Sequence, residues 1–359
     1  MRTTFSFPVL VAFVFASIEV AIAAPFAYVN SGAEGGTVSV VDLATNSVVA
    51  TIPVGDYPQG VAVNYTATRV YIGNRASRTI SVIDTATNFV IETIPVANYP
   101  VGIAVNPAGT RIYVCGFPDK LHVIDAATNT VIANVGLSGW CHLPAVHPSG
   151  MQVYVTDWAL HCVWVVDTAS NSVVARIDVG IARGIAVNPA GTRVYVANDA
   201  DLAFARPASI SVIDTVTNTV IGTVVGLPGT PASVAVDPTG SRVYASTVNG
   251  VVSPVIDATT NTVIATIPVA GNSVALHPTG ARIYFLNVGG VSVIDARTYG
   301  LIATIPIGGG AGAVGQFIAP SMSPQVVQIE IPTLSTSALV ALSAFLAGLA
   351  VLGIRGLRS

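Results

Sequence analysis

Short runs of β-branched and aromatic residues alternate with turn residues along most of the chain, and the alternation repeats. An aspartate closing such a run recurs at Asp42, Asp84, Asp125, Asp167, Asp214, Asp257 and Asp295, at intervals of 38 to 47 residues. Each unit reads alike. A Gly/Pro turn precedes a first strand such as Gly102-Ile103-Ala104-Val105, and Asn106-Pro107-Ala108-Gly109 turns the chain into a second, Arg111-Ile112-Tyr113-Val114. A third strand ends on the aspartate, as in Ile80-Ser81-Val82-Ile83-Asp84, and Thr85-Ala86-Thr87-Asn88 leads into a fourth, Val90-Ile91-Glu92-Thr93-Ile94. Four short strands separated by turn chemistry make an antiparallel blade, and a period near 40 residues with several strands per unit marks a propeller. The pattern predicts an all-β fold, a seven-bladed β-propeller of four-stranded antiparallel blades.

The repeat also predicts how the ring closes. Before the first signature aspartate stands only a second strand, Ala27-Tyr28-Val29-Asn30, with no first strand ahead of it. The missing strand follows the last unit as Val314-Gly315-Gln316-Phe317-Ile318-Ala319-Pro320. Pairing this C-terminal strand with the first blade removes the open edges, so residues 24–320 form one domain.

Composition fits that architecture. Hydrophobic residues make up 52% and charged residues 9%, against roughly 25% charged in an ordinary soluble domain. Blades sandwiched between neighbours bury both faces and need little charge. The net charge of −3 and a single lysine, Lys120, provide no basic stripe, which excludes nucleic acid as an expected partner.

The two ends read as address labels. Met1-Arg2, the apolar run from Phe7 to Ala16, and Ala21-Ile22-Ala23 have the layout of a signal peptide over residues 1–23, with cleavage after Ala23. At the other end a linker, residues 321–330, precedes Ile331-Pro332-Thr333-Leu334-Ser335, an apolar stretch from Ala338 to Ile354, and Arg355 and Arg358. That stretch is long enough to span a bilayer with its arginines on the cytoplasmic side.

Two resemblances follow from these residues. The C-terminal segment, 331–359, resembles the IPTL-CTERM sorting signal of Gram-negative bacteria, in which a membrane protease processes the tail and passes the protein to the envelope surface. Thr336, Ser337 and Ala338 stand where that family has an aromatic residue. Residues 26 to 320 resemble the YVTN family of WD40-like β-propellers, best in Asn188-Pro189-Ala190-Gly191-Thr192-Arg193, Tyr195-Val196-Ala197-Asn198 and Ile210-Ser211-Val212-Ile213-Asp214. The resemblances imply a secreted, cell-surface protein, membrane-anchored before processing or released after it. The YVTN family implies no shared catalytic residues. The expected partners are the envelope sorting protease, the membrane through the C-terminal helix, and a protein or glycan ligand.

The seven aspartates are expected to cap their turns, because a carboxylate there accepts hydrogen bonds from the turn amides while Asn88 and its counterparts take the left-handed position. The repeated tyrosines and the arginines two residues before most of them are expected to pack between blades. A hydrolytic calcium centre needs several oxygen ligands at the channel end, yet the corresponding positions are Gln59, Val101, His142, Arg183, Ser233 and Asn272, with only Asp56 as a nearby acid. Asp199 and Asp201, in the long insertion from Asn198 to Ala208, are expected in a solvated loop rather than at a cation.

One unit departs from the rest. Around Asp167 lie all three tryptophans (Trp140, Trp158, Trp164), two of three cysteines (Cys141, Cys162) and three of five histidines (His142, His147, His161). The repeat puts Cys141-His142 at the entrance to a first strand and His161-Cys162 just before a third, at one end of the propeller. A Cys141–Cys162 disulfide is the leading expectation in an exported protein. The alternatives are a metal site of Cys141, His142, His161 and Cys162, free thiols, or Cys115 bonded to Cys141. Trp140, His142, Trp158 and His161 are the candidate ligand-binding residues. No cofactor and no catalytic residue is expected. The favoured function is a non-catalytic scaffold for binding, adhesion or envelope association; the alternative is an exported hydrolase, lyase or metal-dependent oxidoreductase with its site near residues 140–162.

Overall fold

The computed structural model describes residues 26–31, 34–201, 205–307 and 314–318. The signal-peptide, linker and sorting-signal segments read from the sequence lie outside them. Among the described residues no helix is long and apolar enough to cross a membrane.

The aspartate-ended runs and their partners form seven sheets in chain order, antiparallel except where a C-terminal strand joins one of them. Blade one holds β1 (Phe26–Asn30), β2 (Thr37–Asp42) and β3 (Ser47–Pro53); blade two, β4 (Pro58–Val63), β5 (Arg69–Asn74), β6 (Thr79–Asp84) and β7 (Phe89–Pro95). Blade three holds β8 (Tyr99–Val105), β9 (Arg111–Phe117), β10 (Lys120–Asp125) and β11 (Thr130–Gly136); blade four, β12 (Cys141–Val146), β13 (Gln152–Asp157), β14 (Cys162–Asp167) and β15 (Ser172–Asp178). Blade five runs from β16 (Ile181–Val187) through β17 (Arg193–Asp199) and β18 (Ser209–Asp214) to β19 (Thr219–Val224). Blades six and seven repeat the order, from β20 (Thr230–Val236) and β21 (Arg242–Val248) to β27 (Leu301–Pro306). In blades two to seven the first strand is innermost and the fourth is outermost.

The turns work as the residues require. Asp84 Oδ1 accepts from the amides of Ala86 and Thr87, each at 3.0 Å, and from the Thr87 hydroxyl, while Asn88 sits at φ 57°. The Thr87 amide is the main reason the Asp84 carboxyl lies below the usual aspartate range. The same device recurs in later blades, at Asp125, Asp214, Asp257 and Asp295.

The seams between blades hold the core. Tyr71 packs in one apolar cluster with Ile103 and Ile112 of blade three. Tyr113 packs with Val153 and Val155 of blade four, and Tyr154 with Val194 and Val196 of blade five. Every one of these rings is at most 2% exposed. The arginines divide. Arg282 Nη1 donates to the Leu43 carbonyl at 2.7 Å, tying the last blade to the first, and Arg193 reaches the Ala258 carbonyl of blade six. Arg69 and Arg111 instead pair with Asp84 and Asp125 of their own blades, across adjacent strands.

The ring closes on the C-terminal strand, with a division of labour the repeat did not reveal. The Tyr28 amide donates to the Phe317 carbonyl at 2.8 Å, and Ile318 bridges Ala27 in antiparallel fashion, which places this segment against blade one as expected. Just upstream, β28 (Val314–Gln316) pairs in parallel with β4 of blade two, Val314 opposite Gly60. The strand therefore straddles the seam, and Phe317 and Ile318 are buried in a cluster shared by blades one, two and seven.

Outermost strands meet solvent with few charges. Val49, Phe89, Ile132, Val174, Ile221, Ile264 and Leu301 are exposed, one in each blade, which is where the apolar excess not needed by the seams resides.

Candidate functional site

The innermost strands slip register near their entrances, between Pro58 and Gly60, Pro100 and Ile103, Cys141 and Pro144, and Ala182 and Ile185. A bulge re-aims side chains at the end of a strand, and here the residues within the slips include Gln59, Val101, His142 and Arg183. With Arg75, Phe117, Trp140, Cys141 and Trp158 these four line one pocket of about 230 Å³ at the channel mouth. Strands this close demand glycine beside the bulge. A Cβ on Gly102 would stand 2.3 Å from the His142 carbonyl oxygen, so Gly102 sets how near blade four's bulge approaches blade three.

The aromatic wall is continuous. Phe117 and Trp140 meet edge-on with centroids 5.3 Å apart, and Trp140 and Trp158 lie 5.7 Å apart at 51°. Both indoles remain exposed, at 43% and 42%, an unusual cost for tryptophan unless a partner covers it. The Arg183 guanidinium lies 5.9 Å from the Trp158 ring centroid and is fixed by Asp199 Oδ2, which accepts from Nε at 3.0 Å and Nη2 at 2.6 Å.

His142 lies 3.2 Å, through Nδ1, from the Arg183 carbonyl. A carbonyl only accepts, so Nδ1 carries the proton and Nε2 is left as the acceptor. Desolvation by burial holds this imidazole below the usual histidine range, with the Arg183 carbonyl opposing and its charge reinforcing the shift. The ring is therefore neutral at neutral pH.

Asp157 underlies the wall and was not anticipated from the sequence. It is fully buried, and its carboxylate accepts from the amides of Trp140 (3.0 Å), Ala159 (3.0 Å) and Leu160 (2.9 Å) and from Trp164 Nε1 (2.9 Å). Other blades place asparagine here: Asn74 donates to Ser81 and Asn198 to Ser211. Blade four has Trp164 in the serine's position, an added donor, and the residue facing it has become an acceptor. The signal was legible as Asp157 in the asparagine slot of the repeat.

The cysteines pair differently from the leading expectation. Cys115, near the end of β9, is bonded to Cys141 at the start of β12, with Cα atoms 5.3 Å apart, and Cys162 is a buried thiol. The reason is register. Cys141 faces Asp157 and Asp157 faces Cys162, so a whole strand separates the two cysteines by about 9.5 Å, beyond the roughly 7 Å a disulfide can bridge. Burial pushes the Cys162 thiol up to about 11.

The proposed metal set of Cys141, His142, His161 and Cys162 fails with it. Cys141 is consumed by the disulfide, and among the described residues no group of three or more His, Cys, Asp or Glu side chains is placed to hold a metal ion. His161, at φ 53°, turns toward Asp201 with Nδ1 3.2 Å from Oδ2 and does not line the pocket. Trp140, His142 and Trp158 do. Asp201 is buried and Asp199 half-buried, and they face His161 and Arg183 rather than a cation. Sequence reasoning missed Arg75, in the β5–β6 turn, and Phe117, the last residue of β9, where no repeat pattern distinguishes them.

No protein-family model matches the chain, and no curated protein does. Solved structures are similar in fold. A chain of Kuenenia stuttgartiensis hydrazine synthase aligns with a TM-score of 0.68 at 19% identity, covering 79% of this chain and 99% of that one. A functionally unknown protein from Desulfotomaculum acetoxidans aligns with a TM-score of 0.72 at 16% identity, covering 83% and 99%. At such identities the likeness establishes the propeller and nothing about chemistry.

Proposed function

We propose that the chain is a YVTN-like propeller, exported and displayed at the cell envelope, that binds a ligand at the channel mouth without transforming it. The observation carrying this reading is the pair of half-exposed tryptophans, Trp140 and Trp158, on a wall fixed from behind by the Cys115–Cys141 bond and the buried Asp157. Such a wall is preorganised, which favours binding. Its titratable neighbours suit recognition better than proton transfer: two arginines and an imidazole held neutral, with no carboxylate in the lining. Display rests on the sequence reading of both ends.

Cell fractionation with surface protease digestion tests it, together with metal and cofactor analysis and the mass of the mature C-terminus. Surface-accessible protein that purifies without a stoichiometric metal or cofactor is the expected result. A cytoplasmic location, or one tightly held metal or cofactor per chain, would overturn the reading.

A further inference from the structure

We propose that the ligand taken at the channel mouth is a carboxylate-bearing sugar, one acidic pyranose unit of a polysaccharide. The inference deepens the binding reading above and rests on it. Charge comes first. The molecule has 18 acidic and 15 basic residues, yet the pocket lining contains two guanidiniums and no carboxylate. Arg183 is already satisfied by Asp199. Arg75 is not: among the described residues it makes no ion pair and no side-chain hydrogen bond, and it is exposed. An unpaired guanidinium in a concave site is a fork for an incoming carboxylate.

Shape and polarity then select a sugar over a bare anion. Trp140 and Trp158 present indole faces at 51° to one another, apolar surface that a small inorganic anion would leave uncovered but that the C–H face of a pyranose would cover. Arg183 occupies one side of Trp158, leaving the open side to the ligand. Gln59 offers both donor and acceptor, and His142 Nε2 an acceptor, to sugar hydroxyls. The volume of about 230 Å³ falls below the roughly 300–1,000 Å³ that encloses a drug-sized ligand. The site therefore takes one unit of a chain whose remainder lies across the mouth.

Calorimetric titration of the full mature protein with galacturonate, mannuronate and guluronate oligomers, their methyl esters and an oligoglutamate tests the inference. Esterification removes the charge and keeps the ring. The expected result is binding of at least one acid oligomer, about tenfold or more weaker for its ester, as loss of a charge-assisted pair requires. Arg75→Gln should weaken the acid form by a similar factor, leave the ester unchanged and leave the melting temperature unchanged. Trp158→Ala should weaken both forms. Equal binding of acid and ester, or an Arg75→Gln variant that binds the acid normally, would overturn the charge selection while leaving the site intact. Oligoglutamate binding as tightly as the sugars would overturn the sugar. No binding by any uronate, with envelope binding still lost in Trp158→Ala, would overturn the ligand class alone; envelope binding retained in that variant would sink the site itself.

Discussion

At the scale of single residues the molecule is governed by where backbone amides find acceptors and where φ turns positive. The Asn-Pro-Ala-Gly turns place Gly109 at φ 69°, but blade two has Ala67 in the same slot at φ 54°. A Cβ on Gly109 meets nothing within 4 Å, so backbone conformation alone distinguishes the two. A left-handed non-glycine residue costs about 1 kcal/mol. The unfolded chain offsets part of this in both directions, because alanine restricts it and glycine frees it, so Gly109→Ala should lower the melting temperature by about 2 °C or less and Ala67→Gly raise it by a similar amount. Thermal melts of both variants decide it.

The turn aspartates carry a pH signature. Asp84, Asp125, Asp167, Asp214, Asp257 and Asp295 all sit below the ordinary aspartate value of 3.8, first of all because a turn amide donates to each carboxylate. Depressed folded-state values mean stability present in full above about pH 4 and lost as pH falls further through the depressed values. Burial holds His122, His142 and His277 below the usual histidine range, so melting temperatures should fall gently once pH drops below about 6.5, where the unfolded chain takes up those protons first, and more steeply below about pH 4. Melts that show no steeper decline below about pH 4 would deny the turn aspartates this role.

Elements explain which parts of the site were legible. The repeat located Cys141, His142, His161 and Cys162 at one end of blade four, and the structure agrees. What it hid was the strand between them: β13 lies between β12 and β14, so Cys141 meets the neighbouring blade's Cys115 more easily than its own blade's Cys162. Pairing across a seam is a property of two elements and is invisible in one unit. Thiol titration of the oxidised protein in denaturant should count one free thiol, rising to three with reductant; in the native state Cys162 should resist alkylation. A count of three without reductant would contradict the bond.

The closing strand is an element of the same kind. Its existence was readable from the missing first strand, whereas its bond to β4 was not, because hydrophobic patterning specifies a strand's faces rather than its second neighbour. Phe317 is fully buried where blades one, two and seven meet. Phe317→Ala should cost about 3–5 kcal/mol, and deletion of residues 314–320 should unfold the ring cooperatively. A melt unchanged by that deletion would refute closure by this segment.

For the whole molecule, fold and function parted ways. Seven near-copies of one blade make the architecture readable, since each repeat votes for the same turns, tyrosines and strands. The proposed binding site is the reverse: it lies where the repeat is broken, with Gly116 and His122 in blade three and Asp157 and Trp164 in blade four replacing the asparagine and serine found in blades two, five and seven. Such departures are legible as differences, but their meaning depends on the bulges and seam contacts that bring Arg75, Phe117, Trp140 and Arg183 together from separate blades.

The channel mouth of blades two to five is the surface proposed to bind. The most direct measurement is the affinity of the full mature protein and its Trp140→Ala/Trp158→Ala double variant for isolated cell envelope, with melting temperature measured in parallel. The expected result is binding weakened about tenfold or more, with the melting temperature moved by no more than about 4 °C. Equal envelope binding by the two proteins would contradict it.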